Sequence, residues 1–338
     1  MDRRQFFRRK SSALFGKTVA ALAVAGATAI GPVLPAAGNA AAQTAGGAMA
    51  AAKARLNVLS YNVCGGSCRR HLTLGDWTSR MSSHLTRTNA DVILFQELCR
   101  GQYDSLRRAL VGRYEARWVG TVGDNQGCGK QWGSGADSAS ARRGFGIATF
   151  VKGSGSIRQE RTWWLPRQGD DESRALLCVD AVAGGRAVRV CNTHLDWHAD
   201  VQQVQAEFVA KLVSPWTAYV PVVLGGDLNA EPTESSMALF YDHHTGGRGV
   251  FQEVDETDKK YFGGTCPKSA NRCRSGEGTD GRKKLDYIFL SRRHFSAAVG
   301  DATAEADVSD HALLHGVGVW RTLAPRADFS WSPQSRAS

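Results

Sequence analysis

The amino-acid sequence predicts an α/β domain, because short apolar runs typical of buried strands alternate with segments of helical periodicity. The runs at 91–97 and 222–227 end in a carboxylate, and the run at 285–290 carries one near its start. The segment 76–88 instead spaces its large apolar residues along one face of a helix, and 201–212 is a second helical segment. About 290 residues follow an N-terminal leader, which suits one large domain or two small ones.

The remaining elements follow from the same patterns. We expect Asp76 to cap the first helix and residues 121–142, which are rich in Gly, Ser and Asp, to form a long loop. Further strands are predicted at 56–63, 114–120, 145–151, 157–164 and 313–319, and short helices at 103–110 and 233–240.

The first 40 residues have the layout of a twin-arginine export signal. Arg3 and Arg4 precede aromatic and basic residues, an Ala/Val/Leu-rich stretch covers 13–30, and small residues follow at 38–40. A membrane anchor is the alternative, but the stretch is short and is followed by Pro32 and Pro35. We therefore expect a bacterial protein that is exported through the twin-arginine pathway and secreted.

The rest of the chain shows no charge run or proline-rich linker that would divide it. We predict a disordered lead-in at 41–54, a single folded domain at 55–321 and a polar tail at 322–338. Residues 1–40 carry much of the formal net charge of +10, so the exported chain keeps about +5. A mildly basic surface suits a polyanionic substrate or an anionic membrane and does not choose between them.

All eight cysteines lie in the exported part of the chain, and an even number there favours disulfides. Gly184-Gly185 predicts a two-residue hairpin loop, which sets Cys178 opposite Cys191 and Asp180 opposite Arg189. Because facing residues lie within bridging distance, we predict a disulfide between Cys178 and Cys191. Cys266–Cys273 and Cys64–Cys68 would each close a short loop, so we expect these two pairs. Cys99–Cys128 is then the pair that remains.

Polar side chains recur at or near the ends of the predicted strands. Asp227 and Asn229 lie two residues apart, so both project from the same side of an extended chain, although an Asx turn also explains this pair alone. Buried carboxylates cost several kcal/mol unless they are paired or bind a metal. Their repetition therefore predicts one shared cluster at an edge of the sheets. The other members are Asn62, Glu97, His194, Asp286, Asp310 and His311.

The composition of this cluster indicates its chemistry. Oxygen ligands from Asn, Asp and Glu suit a hard divalent cation, Mg²⁺ or else Mn²⁺ or Ca²⁺. The two histidines add acid–base or electrostatic function. Together these groups predict metal-assisted hydrolysis of a phosphoester.

Six short motifs along the chain resemble, in order, those of the endonuclease/exonuclease/phosphatase family. That family includes pancreatic-type deoxyribonucleases, abasic-site endonucleases, bacterial sphingomyelinases and inositol-polyphosphate phosphatases. The resemblance covers about 56–319 and implies a four-layer α/β/β/α sandwich, with two mixed β-sheets face to face and helices outside. The motifs are Tyr61-Asn62-Val63, Gln96-Glu97, Asn192-Thr193-His194-Leu195-Asp196, Gly226-Asp227-Leu228-Asn229, Leu285-Asp286-Tyr287-Ile288 and Ser309-Asp310-His311.

The resemblance also implies a role for each motif residue. Glu97 is the expected main metal ligand, with Asn62 and Asp310 beside it. His311 is the expected catalytic histidine on the phosphate, oriented and charged by Asp286, and His194 is the second histidine on the phosphate. Asp227 and Asn229 are expected to position the phosphate and the attacking water, with Asp227 as a candidate base.

One departure from the pancreatic-type nucleases concerns His194. In those enzymes a glutamate just before a central strand supports the first histidine, whereas residues 142–146 here contain no carboxylate. The group that orients His194 is therefore open, and Asp196 is a candidate.

The expected activity is that of a metal-dependent phosphoric-diester hydrolase, with nucleic acid favoured as its substrate over phospholipid, and with no stable protein partner for a monomeric chain. A sphingomyelinase-like enzyme is the alternative; it needs an exposed apolar hairpin, of which only Trp163-Trp164 gives a hint. One of these tryptophans in the core and one on the surface is the simpler expectation. A phosphomonoesterase and a binding protein with an inactive site are the further alternatives.

Overall fold

The computed structural model describes residues 54–322, with gaps at 67, 69–71, 124, 133–143, 169–171, 265, 268 and 305–307. The predicted export signal at 1–40 lies outside the described residues, as do all but one residue each of the predicted lead-in and tail. Within the described ranges, no helix has both the length and the apolar character that a membrane crossing requires.

Twelve strands and four α-helices form the described part of the chain. The strands are β1 (Arg55–Asn62), β2 (Val92–Cys99), β3 (Tyr114–Val122), β4 (Phe145–Lys152), β5 (Ile157–Trp164), β6 (Ala175–Ala183), β7 (Arg186–His194), β8 (Val222–Asp227), β9 (Phe251–Glu253), β10 (Asp286–Ser291), β11 (Phe295–Ala304) and β12 (Ala312–Trp320). The helices are α1 (Leu74–Thr88), α2 (Arg100–Ala109), α3 (Gln126–Trp132) and α4 (Ala199–Val213).

The strands form two mixed sheets of six. The first, sheet A, has the order β11-β12-β1-β2-β4-β3, and the second, sheet B, has the order β5-β6-β7-β8-β10-β9. Each sheet contains a parallel pair, β1 with β2 and β7 with β8. All other neighbours run antiparallel.

Three apolar layers explain why the sheets stack face to face. The inner layer joins both sheets through residues such as Val58, Leu94 and Ile288. A second layer packs α1 and α2 on the outside of sheet A, and a third packs α4 on the outside of sheet B. Because alternate residues of a strand face opposite sides, each central strand contributes to two of these layers. The predicted four-layer α/β/β/α sandwich is therefore confirmed.

The hairpin between β6 and β7 has the predicted register. Ala183 pairs with Arg186, Asp180 with Arg189, and Cys178 with Cys191. The disulfide between Cys178 and Cys191 is present, which confirms that prediction. The structure also forms the three other predicted pairs, Cys64–Cys68, Cys99–Cys128 and Cys266–Cys273.

Several local predictions were wrong. The N-cap of helix α1 is Thr73, three residues earlier than the predicted Asp76, which instead completes a capping box with Thr73. Part of the predicted loop at 121–142 is helix α3, while 133–143 lies outside the described residues. The helix expected at 233–240 is only a 3₁₀ turn at Met237–Leu239. Strands β9 and β11 were not predicted.

Candidate active site

The inner face of the sandwich collects the polar residues found at the strand ends. In β1, β7 and β10 the even-numbered residues point between the sheets, as Val58, Val190 and Ile288 show. The same alternation turns the side chains of Asn62, His194 and Asp286 towards this space at the strand ends. In β8 the odd-numbered Val223 points inward, and so does Asp227.

Strand register then brings three of these residues into one row across sheet B. His194 on β7 pairs with Asp227 on β8, and Asp227 pairs with Asp286 on β10. All three side chains are buried. The row exists because β7 and β8 end, and the antiparallel β10 begins, at the same level, which the sequence motifs alone do not show.

Glu97 reaches the site through an irregularity in β2. By alternation its side chain would follow Ile93 and Phe95 to the outer face of sheet A. The pairing of β2 with β4 shifts between Phe95 and Leu98, and Glu97 has a left-handed φ of 53°. Such a bulge re-aims a side chain. The Glu97 carboxylate consequently accepts a hydrogen bond of 2.9 Å from Asn62 Nδ2.

Asp227 lies at the centre of the cluster. Its Oδ2 accepts from Asn62 Nδ2 at 3.0 Å and lies 3.6 Å from His194 Nε2 and 3.8 Å from His311 Nε2. Its Oδ1 accepts from the Asn229 backbone N–H at 3.0 Å, so the alternative Asx turn is also present. Burial, together with the nearby Asp286, raises the pKa of Asp227 to about 7.

His311 lies directly before β12 and is held in place by Asp286. Its Nδ1 lies 2.7 Å from Asp286 Oδ2, and its backbone N–H donates to Ser309 Oγ. Ser309 in turn donates to the backbone oxygen of Asn62, which ties this loop to β1. Burial lowers the pKa of His311, but Asp286 and the other carboxylates outweigh it and raise that pKa to about 10. His311 is therefore a cation at neutral pH.

His194 is oriented by an arginine that the sequence did not reveal. Arg174 Nη1 lies 2.8 Å from His194 Nδ1, and Asn229 Nδ2 lies 3.1 Å from His194 Nε2. The expectation that Asp196 orients His194 was wrong. The Asp196 Oδ1 instead accepts from the backbone N–H of His198 and lies 2.8 Å from His198 Nδ1. An arginine directly before a strand normally looks like a solvated residue, so no pattern pointed to Arg174. Burial, Arg174 and His311 together hold the pKa of His194 well below its usual value.

The residues around Glu97 fit a divalent cation. Desolvation raises the pKa of the half-buried Glu97, and a bound cation would offset this cost of the charged carboxylate. The exposed Asp310 carboxylate lies close enough to raise the pKa of Glu97 through charge repulsion. Asn62 currently turns its amide nitrogen to Glu97 and its oxygen to the Cys64 N–H, so it holds Glu97 in place.

Two other groupings are less suitable as cation sites. Asp227, Asp286 and His311 each offer an atom within 4.8 Å of the others, but His311 and Asp286 already bond each other. Cys64 and Cys68 lie near Asp310, yet their sulfurs form a disulfide.

The fold and the order of the site residues along the chain agree with one protein family. The sequence pattern of the Endonuclease/Exonuclease/phosphatase family matches residues 59–311, and the chain belongs to that family. No curated protein sequence matches the chain.

Solved structures of this family share the fold at low sequence identity. An endonuclease/exonuclease/phosphatase from Bacteroides vulgatus is 16% identical with a TM-score of 0.55, over 80% of this chain and 100% of its own. Truncated TDP2 from Caenorhabditis elegans is also 16% identical with a TM-score of 0.55, over 78% of this chain and 98% of its own. The mannosyl-6-phosphatase Bt3783 from Bacteroides thetaiotaomicron is 17% identical with a TM-score of 0.51, over 77% and 98%.

Proposed function

We propose that this chain is a secreted, divalent-metal-dependent phosphoric-diester hydrolase that acts on nucleic acid. The observation that carries the proposal is the position of the Asp227 carboxylate. It lies within 4 Å of both histidines and has its pKa raised to about 7, which suits a general base at neutral pH.

Each residue of the cluster has a role in such a reaction. Asp227 takes a proton from water as the water oxygen attacks phosphorus and the bond to the leaving oxygen breaks. The His311 cation, paired with Asp286, contacts the phosphate and stabilises its developing negative charge. Asn229 holds the loop after β8 through its bond to the Leu195 oxygen, and this loop positions the phosphate.

Glu97 and Asp310 would hold the divalent cation, with Asn62 beside them. When bound, Mg²⁺, Mn²⁺ or Ca²⁺ supplies positive charge that polarises the phosphoryl group. The contribution of the chain is the Asn62 amide, which links Glu97 to Asp227 by donating to both carboxylates.

Nucleic acid is favoured over phospholipid because the tryptophan pair does not form an apolar hairpin tip, while the basic charge of the exported chain is compatible with either substrate. Trp163 packs against Trp216 at 5.5 Å between ring centroids, while Trp164 is 57% exposed. We propose that the protein acts as a monomer without a stable protein partner. A phosphomonoesterase is the second candidate, since one structure of similar fold is a sugar phosphatase.

A substrate panel tests the proposal. Purified protein is incubated with plasmid DNA, RNA, sphingomyelin and a phosphomonoester, each with Mg²⁺, Mn²⁺, Ca²⁺ or EDTA. We expect cleavage of a nucleic acid with a divalent cation. Cleavage of sphingomyelin or of the monoester alone would replace the proposed substrate, and no cleavage of any substrate would contradict a hydrolase.

A further inference from the structure

Arg174 lies directly before β6 and is buried beside His194. Its side chain is 6% exposed, its Nη1 lies 2.8 Å from His194 Nδ1, and Glu172 Oε1 lies 3.5 Å from the same nitrogen. A guanidinium carries hydrogens on every nitrogen at any ordinary pH and cannot accept a hydrogen bond. His194 Nδ1 is therefore the acceptor in this contact and bears no proton.

The proton of the imidazole must then lie on Nε2. The neighbour there is Asn229 Nδ2 at 3.1 Å, a neutral amide nitrogen that donates one of its two hydrogens to the Leu195 oxygen at 2.9 Å. A charged donor makes the stronger hydrogen bond, so the arginine and not the amide decides the tautomer. The Asp227 carboxylate oxygen lies 3.6 Å from Nε2, so the N–H faces the centre of the cluster.

We propose that Arg174 is a positioning residue that keeps His194 uncharged with its proton on Nε2, so that His194 binds the substrate phosphate as a hydrogen-bond donor. This inference rests on the proposed hydrolase function. A neutral imidazole that released this proton would become an anion, so His194 cannot supply a proton to the leaving oxygen. A donor oriented in advance stabilises the charge that develops on a phosphate oxygen.

The groups that face His194 support this assignment. Arg174 approaches from the start of β6 and His311 from the loop before β12, and the permanent charge of the guanidinium disfavours a second positive charge on His194. Asp227 on β8 is an acidic group that faces the ring. The two histidines therefore have opposite partners: His311 Nδ1 faces the Asp286 carboxylate, and His194 Nδ1 faces the Arg174 guanidinium.

Nuclear magnetic resonance tests the tautomer without any activity measurement. Long-range ¹H–¹⁵N correlation spectra distinguish the two ring nitrogens, and a His194→Gln variant identifies the His194 signals among the nine histidines. We expect the Nε2–H form between about pH 6 and 8, around the ordinary histidine pKa. A proton on Nδ1, or protons on both nitrogens, at pH 7 would overturn the proposal.

Three variants test the consequence for catalysis. In Arg174→Met, which removes the donors, we expect mixed tautomers and a fall in kcat on the order of 10²-fold, as for a lost transition-state donor. Arg174→Lys keeps a group that can only donate and should restore both the tautomer and most of kcat. Arg158→Gln, which removes an exposed arginine of β5, is the control for lost charge.

The outcomes separate this inference from the proposed function. If wild-type protein hydrolyses no substrate, the function fails while the spectrum still decides the tautomer. Unchanged kcat and an unchanged Nε2–H form in folded Arg174→Met would overturn the role of Arg174. If Arg174→Met does not fold, the wild-type spectrum and the Arg174→Lys variant decide the question.

Discussion

At the scale of single residues, burial and neighbouring charges give the two central carboxylates of the site different environments. Asp227 and Asp286 are neighbouring buried carboxylates, but Asp286 has a cationic partner in His311. Asp227 instead accepts from the neutral Asn62 amide, and its pKa rises to about 7. The two acids therefore take different roles, one as the candidate base and one as the partner that keeps a histidine charged.

Asp227 is expected to control both the rate and its pH dependence. Asp227→Asn and His311→Ala should each lower the rate of hydrolysis by a factor on the order of 10²–10⁴. Because a base must be unprotonated, the wild-type rate should fall as the pH drops below about 7, where Asp227 takes up a proton. Initial rates measured between about pH 5 and 9 test both statements.

Conservative controls accompany these variants. Asp258→Asn removes a half-exposed carboxylate that caps a short turn and should keep the wild-type rate and pH profile. Wild-type rates in a folded Asp227→Asn or His311→Ala protein would refute the corresponding assignment.

At the scale of secondary structure, two backbone irregularities complete the site. The bulge in β2 turns Glu97 inward, and Gly226 brings β7 and β8 close together. Gly226 has φ of 137°, and a Cβ there would lie 1.9 Å from the Thr193 oxygen. The close pairing of Thr193 with Gly226 sets the level at which His194 meets Asp227.

Replacing Gly226 should therefore damage both stability and catalysis. Gly226→Ala places a Cβ in a backbone region used almost only by glycine, which costs on the order of 1–3 kcal/mol before the clash with Thr193 is relieved. We expect a lower free energy of unfolding in urea and a strongly reduced rate. Gly263→Ala is the matched control, since a Cβ there meets no atom within 4 Å. Equal stability and rate for both variants would contradict this view of Gly226.

At the scale of the whole molecule, the site lies between two sheets that must keep a fixed separation. Asn192 on β7 crosses this space: its Nδ2 donates to the Phe95 and Ala148 oxygens of sheet A, and its Oδ1 accepts from Gln96 Nε2 at 2.8 Å. These bonds connect the strand that ends in His194 with the strand that carries Glu97.

Removing this connection should weaken the molecule as a whole. Asn192→Leu leaves two carbonyl groups and the Gln96 amide without these partners, and each buried unsatisfied group costs about 1–3 kcal/mol. The expected result is a lower midpoint of urea unfolding and a lower rate, because sheets A and B each carry part of the cluster. Gln159→Leu on the exposed face of β5 is the control and should change neither. An unchanged midpoint for Asn192→Leu would show that the two sheets do not depend on this connection.

Most of the strands were predictable because they follow from local patterns, whereas the stacking of two sheets into a sandwich was implied by the family resemblance. Apolar runs mark the buried strands, and Gly184-Gly185 determined the hairpin register and its disulfide. The helix expected at 233–240 did not form as such, because turns at 231–242 bury Met237 and Phe240 instead. Strand β11 has small and half-exposed residues, so it lacks the apolar pattern of a strand.

The sequence predicted which acids and histidines form the candidate site, but not which contacts orient them. The strand-end acids and histidines stand out because they interrupt apolar runs. The partner of His194 does not, since Arg174 is distant in sequence and meets the histidine only when β6 pairs with β7. The inward turn of Glu97 likewise depends on a bulge that arises from the pairing of β2 with β4.

The central claim, that a divalent cation at Glu97 supports hydrolysis by the neighbouring cluster, is tested most directly by the metal dependence of phosphodiester cleavage. The rate of plasmid DNA cleavage is measured against Mg²⁺ concentration for wild-type protein and for Glu97→Gln, with EDTA as the zero point. We predict that EDTA abolishes cleavage by wild-type protein, that excess Mg²⁺ restores it, and that Glu97→Gln needs at least about 10-fold more Mg²⁺ for half its maximal rate. Cleavage that persists in EDTA, or the same Mg²⁺ dependence in both proteins, would contradict the account.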